Sequence, residues 1–295
     1  MFSLEQERET MLKKIKGPRI WFSGILFISG VLILLYPFVS NMIANRHASE
    51  VVRSYEEEVR QMDGQEIDVA KETARQYNEQ LSDIISVEEE ETESKSVKYL
   101  DMVDAGVSLG YIVIPKIDVN LPIYSGIDEE VLKRGVGHLE QSSYPLGGES
   151  THCVLTGHRG LPSALLFTDL DKLEQGDEFY LHVLDEVLAY KVDQIKVVEP
   201  NEAGDLDIEE GMDYCTLVTC TPYAINTHRL LVRGIRTEYK EEQENKTQSQ
   251  MQSGSFTKRI VDVWAWVLLA FVIVFAVETV IFLVIMKRRK QTREE

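Results

Sequence analysis

Thr216-Leu217-Val218-Thr219-Cys220-Thr221-Pro222-Tyr223-Ala224-Ile225-Asn226-Thr227-His228-Arg229 reads as a buried strand, a turn and the start of a returning strand. Tyr214 to Thr219 is short, uncharged and rich in β-branched residues, which suits a sheet interior. Pro222 stops the ladder because it has no N–H to donate. Asn226 tolerates the unusual backbone angle that a tight connection needs. His228 to Ile235 then alternates as a returning antiparallel strand does. In such a hairpin Cys220 ends one strand and Arg229 begins the next, which brings the two side chains close. A thiol at the open end of a strand, beside a guanidinium, is a place where a thiolate can form and an oxyanion can be held.

A nucleophilic thiol needs a base. The best candidate is His158, in Thr156-Gly157-His158-Arg159-Gly160, which closes the strand His152 to Thr156. Two strand ends that each deliver one reactive group to one rim make a nucleophile–base pair. His138 is the rival for the base; His152 and His182 sit inside strands and read as structural. His228 adjoins Arg229 and should point to the other side of its strand.

These residues resemble the sortases, the membrane-anchored cysteine transpeptidases of Gram-positive bacteria. TLVTC followed by arginine nine positions after the cysteine, with TGHR upstream, carries the resemblance. The longer string HLEQSSYPLGGESTHCVLTGHRGLPSALLFTDLDKLEQGDEFYLHVL, the stretch Asp193 to Pro200, and LVTCTPYAINTHRLLVRG resemble the class C, pilin-polymerising branch. The resemblance implies a mainly β fold, an eight-stranded barrel with short helices. It implies Cys220 as nucleophile, His158 as acid and base, and Arg229 on the oxyanion. The implied substrates are pilins or surface proteins with an LPxTG-like signal, and the implied acceptor is a lysine of the next pilin. The neighbouring reading is a housekeeping sortase that attaches proteins to the cell-wall precursor. A reading of a different class is a membrane assembly scaffold whose thiol is incidental.

Composition limits the alternatives. A formal net charge of −18 and a pI near 4.8 argue against a nucleic-acid partner, which needs a basic face. Three cysteines are too few for a disulfide scaffold. The cysteines and histidines lack the paired close spacing of zinc motifs, and there is no glycine-rich phosphate loop, so neither a metal nor another cofactor is expected.

The rest of the chain supplies the setting. Residues 1–19 read as a cytoplasmic tail with Lys13, Lys14, Lys16 and Arg19. Residues 20–41 carry no charge and read as a signal anchor, long enough for a bilayer that needs about 20 residues. A second apolar run, 263–286, is followed by Lys287-Arg288-Arg289-Lys290 in the basic tail 287–295. Basic flanks mark the cytoplasmic side. The expectation is therefore a two-pass protein of the plasma membrane, both termini cytoplasmic, its catalytic domain outside and in contact with membrane lipid.

Residues 42–85 show two out-of-phase apolar stripes, Val52-Tyr55-Val59-Met62 and Ala70-Ala74-Tyr77-Leu81-Ile84. They predict a stalk of two helices bent at Asp63-Gly64, with Asp63 and Glu66 capping the second. Residues 86–107 form an acidic loop around Glu88 to Glu91. In the pilin-polymerising branch this region carries an occluding lid with an Asp-Pro-aromatic plug. The plug is missing here, since no proline lies between Pro37 and Pro115. Residues 108–237 hold many short strands and predict the closed barrel. Within them Ser163 to Leu173 predicts a helix. Residues 238–262 read as a polar tether.

Two side issues arise. If the strands ending at His158 and Cys220 are parallel neighbours, as the family's barrel implies, Cys153 and Cys215 face each other. They are then packed apolar thiols or a redox-sensitive pair. Glu278, inside the second apolar run, is costly in a membrane; it either bonds to Ser29 or to a membrane partner, or stands alone as a protonated acid.

Overall fold

The computed structural model describes residues 2–86, 107–202, 204–242, 244 and 245, and beyond these 266, 269, 270 and 273. The acidic loop at 87–106, most of the tether, most of the second apolar run and Glu278 lie outside the described residues. The chain divides into two compact units. One comprises Met1–Leu35 with Gln252–Glu295; the other is Tyr36–Met251.

In the first unit the described residues are helical, and the Ser29 hydroxyl donates to the Ile25 carbonyl of its own helix at 2.6 Å. Helix α1 spans Phe2–Gln61. Its stretch Ile28–Gln61 is the one helix among the described residues long and apolar enough to cross a membrane, its most apolar 18 residues having a mean hydropathy of 1.5.

Helix α2 (Gly64–Ser86) starts where the sequence bends. The Glu66 N–H donates to the Asp63 carboxylate at 2.8 Å, and the Asp63 N–H donates to the Glu66 carboxylate at 3.1 Å. That reciprocal cap satisfies two N–H groups which a helix start leaves without partners. Both helices pack on the barrel: Val52, Tyr55, Ala74 and Tyr77 are buried. Asn78 donates to the Tyr144 carbonyl at 3.2 Å and accepts from the Tyr144 N–H at 2.7 Å. Lys71 holds Asp185 and Glu186 at 2.5 and 2.8 Å.

The barrel strands are β1 (Ser108–Ile114), β2 (Val119–Ser125), β3 (Val136–His138), β4 (Thr151–Thr156), β5 (Glu178–Val183), β6 (Glu186–Val198), β7 (Asp213–Thr221) and β8 (His228–Thr237). They close in the order β1-β2-β3-β4-β7-β8-β6-β5, the expected eight-stranded barrel. A short helix, α3 (Glu129–Arg134), precedes β3 and is capped by the Asp128 carboxylate. The pairs β2–β3 and β4–β7 are parallel and the other six are antiparallel. Closure leaves no free sheet edge among these strands. The interior is filled by Ile112, Ile123, Leu155, Phe167, Phe179, Leu181, Leu188 and Leu217, all fully buried.

One expectation fails. Ser163 to Leu173 is not a helix; it is a chain of turns with a single 3-10 turn at Leu170–Lys172. Its N–H groups have better partners elsewhere: Leu165 donates to the Asn41 side chain at 2.9 Å and Phe167 to the His158 carbonyl at 3.1 Å. Ala164, Leu166, Phe167, Leu170 and Leu173 are all buried, more apolar positions than one face of a short helix presents.

Candidate active site

Strand β7 alternates. Cys215 and Leu217 join the barrel interior, whereas Val218 packs with Val154, Val198 and Leu231 on the outer face. Alternation puts Cys220 on the face of Val218, opposite to that of Cys215. Cys220 is half-buried, whereas Cys153 and Cys215 are buried. Arg229 is the residue directly across from Cys220 in the β7–β8 ladder. Side chains so placed share a face, with Cβ atoms about 5 Å apart. The expected juxtaposition of thiol and guanidinium is therefore set by register.

The turn between them uses left-handed backbone at Ala224 (φ 63°) and Asn226 (φ 61°). The N–H groups of Ile225 and Asn226 both donate to the Pro222 carbonyl, at 3.1 and 3.0 Å.

His158 follows β4. The last rung of the parallel β4–β7 ladder pairs Thr156 with Val218. His158 and Cys220 each lie two residues past it. The Gly157 N–H donates to the Val218 carbonyl at 3.0 Å and the Thr219 hydroxyl to the Gly157 carbonyl at 2.7 Å, which carries the register past the last rung. Gly157 has no room for a side chain: a Cβ there would lie 2.6 Å from the buried Phe167 ring. Gly160 lies under Tyr223, whose ring would meet its Cβ at 3.1 Å, so the His158 loop and the Pro222 turn touch.

Arg159 adds a second tie. Its Nη1 donates to the Thr221 hydroxyl at 3.1 Å, one residue beyond the thiol, and its Nη2 pairs with Asp171 at 2.5 Å. The side chain is 8% exposed. Its Nε is buried and has no partner among the described residues.

Among the described residues the Cys220 thiol carries no hydrogen bond and Arg229 no salt bridge; the Arg229 Nη1 donates to the His228 carbonyl at 3.2 Å. The remaining guanidinium donors are available to a developing negative charge. Glu129, exposed at the start of α3, has its carboxyl held below the usual range by Lys133 foremost and to a lesser degree by His158.

His138 is fully buried, with its Nε2 2.9 Å from the Ser143 carbonyl and 3.2 Å from the Ser142 hydroxyl. His152 is buried too, its Nδ1 2.8 Å from the Asp207 carbonyl and its Nε2 2.7 Å from the Thr216 hydroxyl. His182 stacks on Tyr111 and meets Glu244 at 3.1 Å.

Cys153 and Cys215 are partners in the parallel ladder, and both are free thiols. Burial foremost pushes the Cys215 thiol well above its ordinary range. Arg159 and Thr219 are the functional neighbours that sequence reasoning passed over. The signal for Arg159 was its place beside His158, but its partners lie far off along the chain. Among the described residues no cluster of three or more His, Cys, Asp or Glu side chains is placed to hold a metal ion.

A closed barrel whose rim carries cysteine, arginine and histidine at the ends of β7, β8 and β4 defines a class, and comparison with known proteins agrees. The sortase domain family model matches residues 112–237. Sortase D of Bacillus subtilis is 31% identical over 41% of this chain and 58% of that protein, so the chain spans little more than half of that relative. Sortase C of Streptococcus pneumoniae is 48% identical, with 64% of this chain and 97% of that one covered and a TM-score of 0.58. Clostridium perfringens sortase C, solved with the C-terminal cell wall sorting motif, is 46% identical over 65% of this chain and 100% of that one, TM-score 0.58. The chain belongs to the sortase family of cysteine transpeptidases. Within it, these solved relatives place it with the class C sortases.

Proposed function

We propose that this protein is a membrane-anchored transpeptidase that cleaves an LPxTG-like sorting signal and joins pilin subunits through isopeptide bonds. The observation that carries the reading is the register, which sets Cys220 across from Arg229 and His158 in step with Cys220 beyond the β4–β7 ladder. The exposed apolar residues of α1, from Ile25 to Ile43, support the anchor. The 46–48% identity to class C sortases supports pilin substrates over wall anchoring.

The chemistry follows from the groups. The Cys220 sulfur, as thiolate, attacks the threonine carbonyl carbon of the signal and forms a C–S bond. The carbonyl oxygen takes the electron pair and is held by the Arg229 guanidinium. The tetrahedral centre collapses, the C–N bond breaks, and the leaving amine takes a proton from His158. A lysine Nζ of the next subunit then attacks the thioester and gives a proton to His158. The C–S bond breaks and the thiolate returns. One amide is lost and one gained, so no ATP is required. Holding enzyme and membrane-tethered substrate on one surface raises their effective concentration.

Incubation with a sorting-signal peptide tests the reading. Intact mass should show the acyl fragment on Cys220, absent in Cys220→Ala. With pilin substrate, a ladder of polymers on gels is expected. Single wall-linked products would instead indicate a housekeeping sortase. A Cys220→Ala variant that still supports assembly would end the enzymatic reading.

A further inference from the structure

A cavity of ≈ 300 Å³ between α1 and the barrel is lined by none of Cys220, His158 and Arg229. Its lining includes apolar Ala44, Leu121 and Tyr124, His47 from α1, and Lys133 and Arg134 from α3. The volume lies at the low end of the roughly 300–1,000 Å³ of small-ligand sites. Arg134 makes no salt bridge among the described residues; its guanidinium carbon lies over the Tyr124 ring, 4.9 Å from the centroid. Lys133 meets Glu129 at 2.6 Å, but both side chains are mostly exposed, and such a surface pair is too weak to hold the lysine away from a stronger anion.

The place of the cavity matters as much as its charge. Tyr36, Phe38, Val39, Met42 and Ile43 are exposed apolar residues of α1, and the cavity begins at the next residue, Ala44. The barrel is fastened to the helix at the same level: the Ser40 hydroxyl donates to the Ser163 carbonyl at 3.1 Å, and Asn41 accepts from Leu165. At 1.5 Å per residue the lining from Ala44 to Val51 spans about 10 Å of helix. The polar layer of a bilayer is roughly 5–8 Å on each side. The cavity thus overlaps the headgroup layer and extends past it on the aqueous side once the apolar stretch is in lipid. A chain of net charge −18 is repelled by an anionic surface unless the site that meets it is locally basic. The cavity lining carries His47, Lys133 and Arg134 and no carboxylate, whereas the exposed surface beyond it mixes Arg46 and Arg53 with Glu50 and Glu130.

We propose that this cavity binds the phosphodiester headgroup of an anionic phospholipid, with Lys133 and Arg134 on the phosphate, His47 closing from α1, and the acyl chains along Tyr36 to Ile43. The proposal rests on the membrane-anchored reading. The bound lipid fixes the height and tilt of the barrel over the membrane without entering the chemistry.

The test uses the full chain in detergent micelles with palmitoyl-oleoyl phosphatidylglycerol or phosphatidylcholine, followed by native mass spectrometry. The phosphatidylglycerol adduct should survive preferentially. In Lys133→Gln/Arg134→Gln its apparent affinity should fall about thirty-fold, taking about fivefold for each cation near an anionic surface. That variant should still acylate Cys220 with a soluble peptide at the normal rate, which shows it is folded. Equal retention of the two lipids, or no change in the variant, overturns the proposal. Competition by glycerol phosphate as strong as by lipid overturns it in favour of a free-phosphate site. Alkaline carbonate extraction of cell membranes is the separate check: release of the chain into the wash would sink the anchoring reading itself.

Discussion

Replacing Arg159 with alanine should slow acylation of Cys220 about tenfold while leaving most of the protein folded. The Arg159 side chain is nearly buried and spans from the Thr221 hydroxyl to Asp171. A hydrogen bond from a charged donor contributes about 1.5–3 kcal/mol, and the Thr221 bond, with a neutral acceptor, belongs at the low end. Asp171 is 48% exposed, so its ion pair is screened and adds about 1 kcal/mol at most. The buried Nε without a partner works the other way, by about 1 kcal/mol. The net loss of stability is then about 1–2 kcal/mol, small beside a typical 5–15 kcal/mol. If the roughly 1.5 kcal/mol of the Thr221 tether is felt as misplacement of the adjoining thiol, the rate falls about tenfold. Urea denaturation gives the first quantity, and single-turnover acylation followed by intact mass gives the second. Arg159→Lys separates the roles, because lysine reaches Asp171 as a point charge but lacks the fork that also holds Thr221. It should recover most of the stability and little of the rate. Wild-type acylation by the alanine variant, or full recovery of both quantities by lysine, would refute the tether.

Gly157→Ala should lose about 1–3 kcal/mol by overpacking, since its Cβ would lie 2.6 Å from the Phe167 ring, and should displace His158 as well; denaturation and acylation fall together. Burial, foremost, holds the His152 imidazole below its ordinary value of about 6.5. The unfolded chain therefore takes up that proton first as pH falls, so this contribution to stability is complete above about pH 6.5 and is lost on acidification. His152→Gln should show a shallower fall in urea midpoint as the pH drops below about 6.5. Alkylation of the unfolded, unreduced protein should label three thiols, since Cys153 and Cys215 are free as well as Cys220; a single label would mean that the buried pair is bridged.

Much of the site was legible because it depends on strand register, which sequence reports well. The β-branched run into Cys220, the stop at Pro222 and the return at Arg229 define one hairpin, and a hairpin has one register. The pairing of Cys153 with Cys215 followed from equal spacing behind His158 and Cys220 together with the parallel strands that the sortase resemblance implied. The Asp63–Glu66 cap was readable because both partners are local. Three things were not. Ser163 to Leu173 has helical spacing, but its backbone donors go to Asn41 and to the His158 carbonyl, which a local pattern does not contain. His138 stood as a rival to His158, and nothing local told that the fold encloses it beside Ser142 and Ser143. Arg159 drew no reading from the sequence beyond its place beside His158, because its partners Thr221 and Asp171 are supplied only by the tertiary fold.

The stalk also has a consequence for how the barrel breathes. The sheet closes on itself where β1 meets β5, through three residue pairs only. Tyr55 of α1 clasps that suture: its phenol donates to the Leu109 carbonyl at 3.2 Å and accepts from the Leu184 N–H at 2.7 Å. Beside it Tyr111 gives its hydroxyl to Glu56 at 2.8 Å and stacks on His182 across the join, 4.3 Å between rings. Cutting away α1 to obtain a convenient soluble fragment would therefore undo the buckle, and amides on both lips of the join should exchange with deuterium sooner than those of the β7–β8 hairpin.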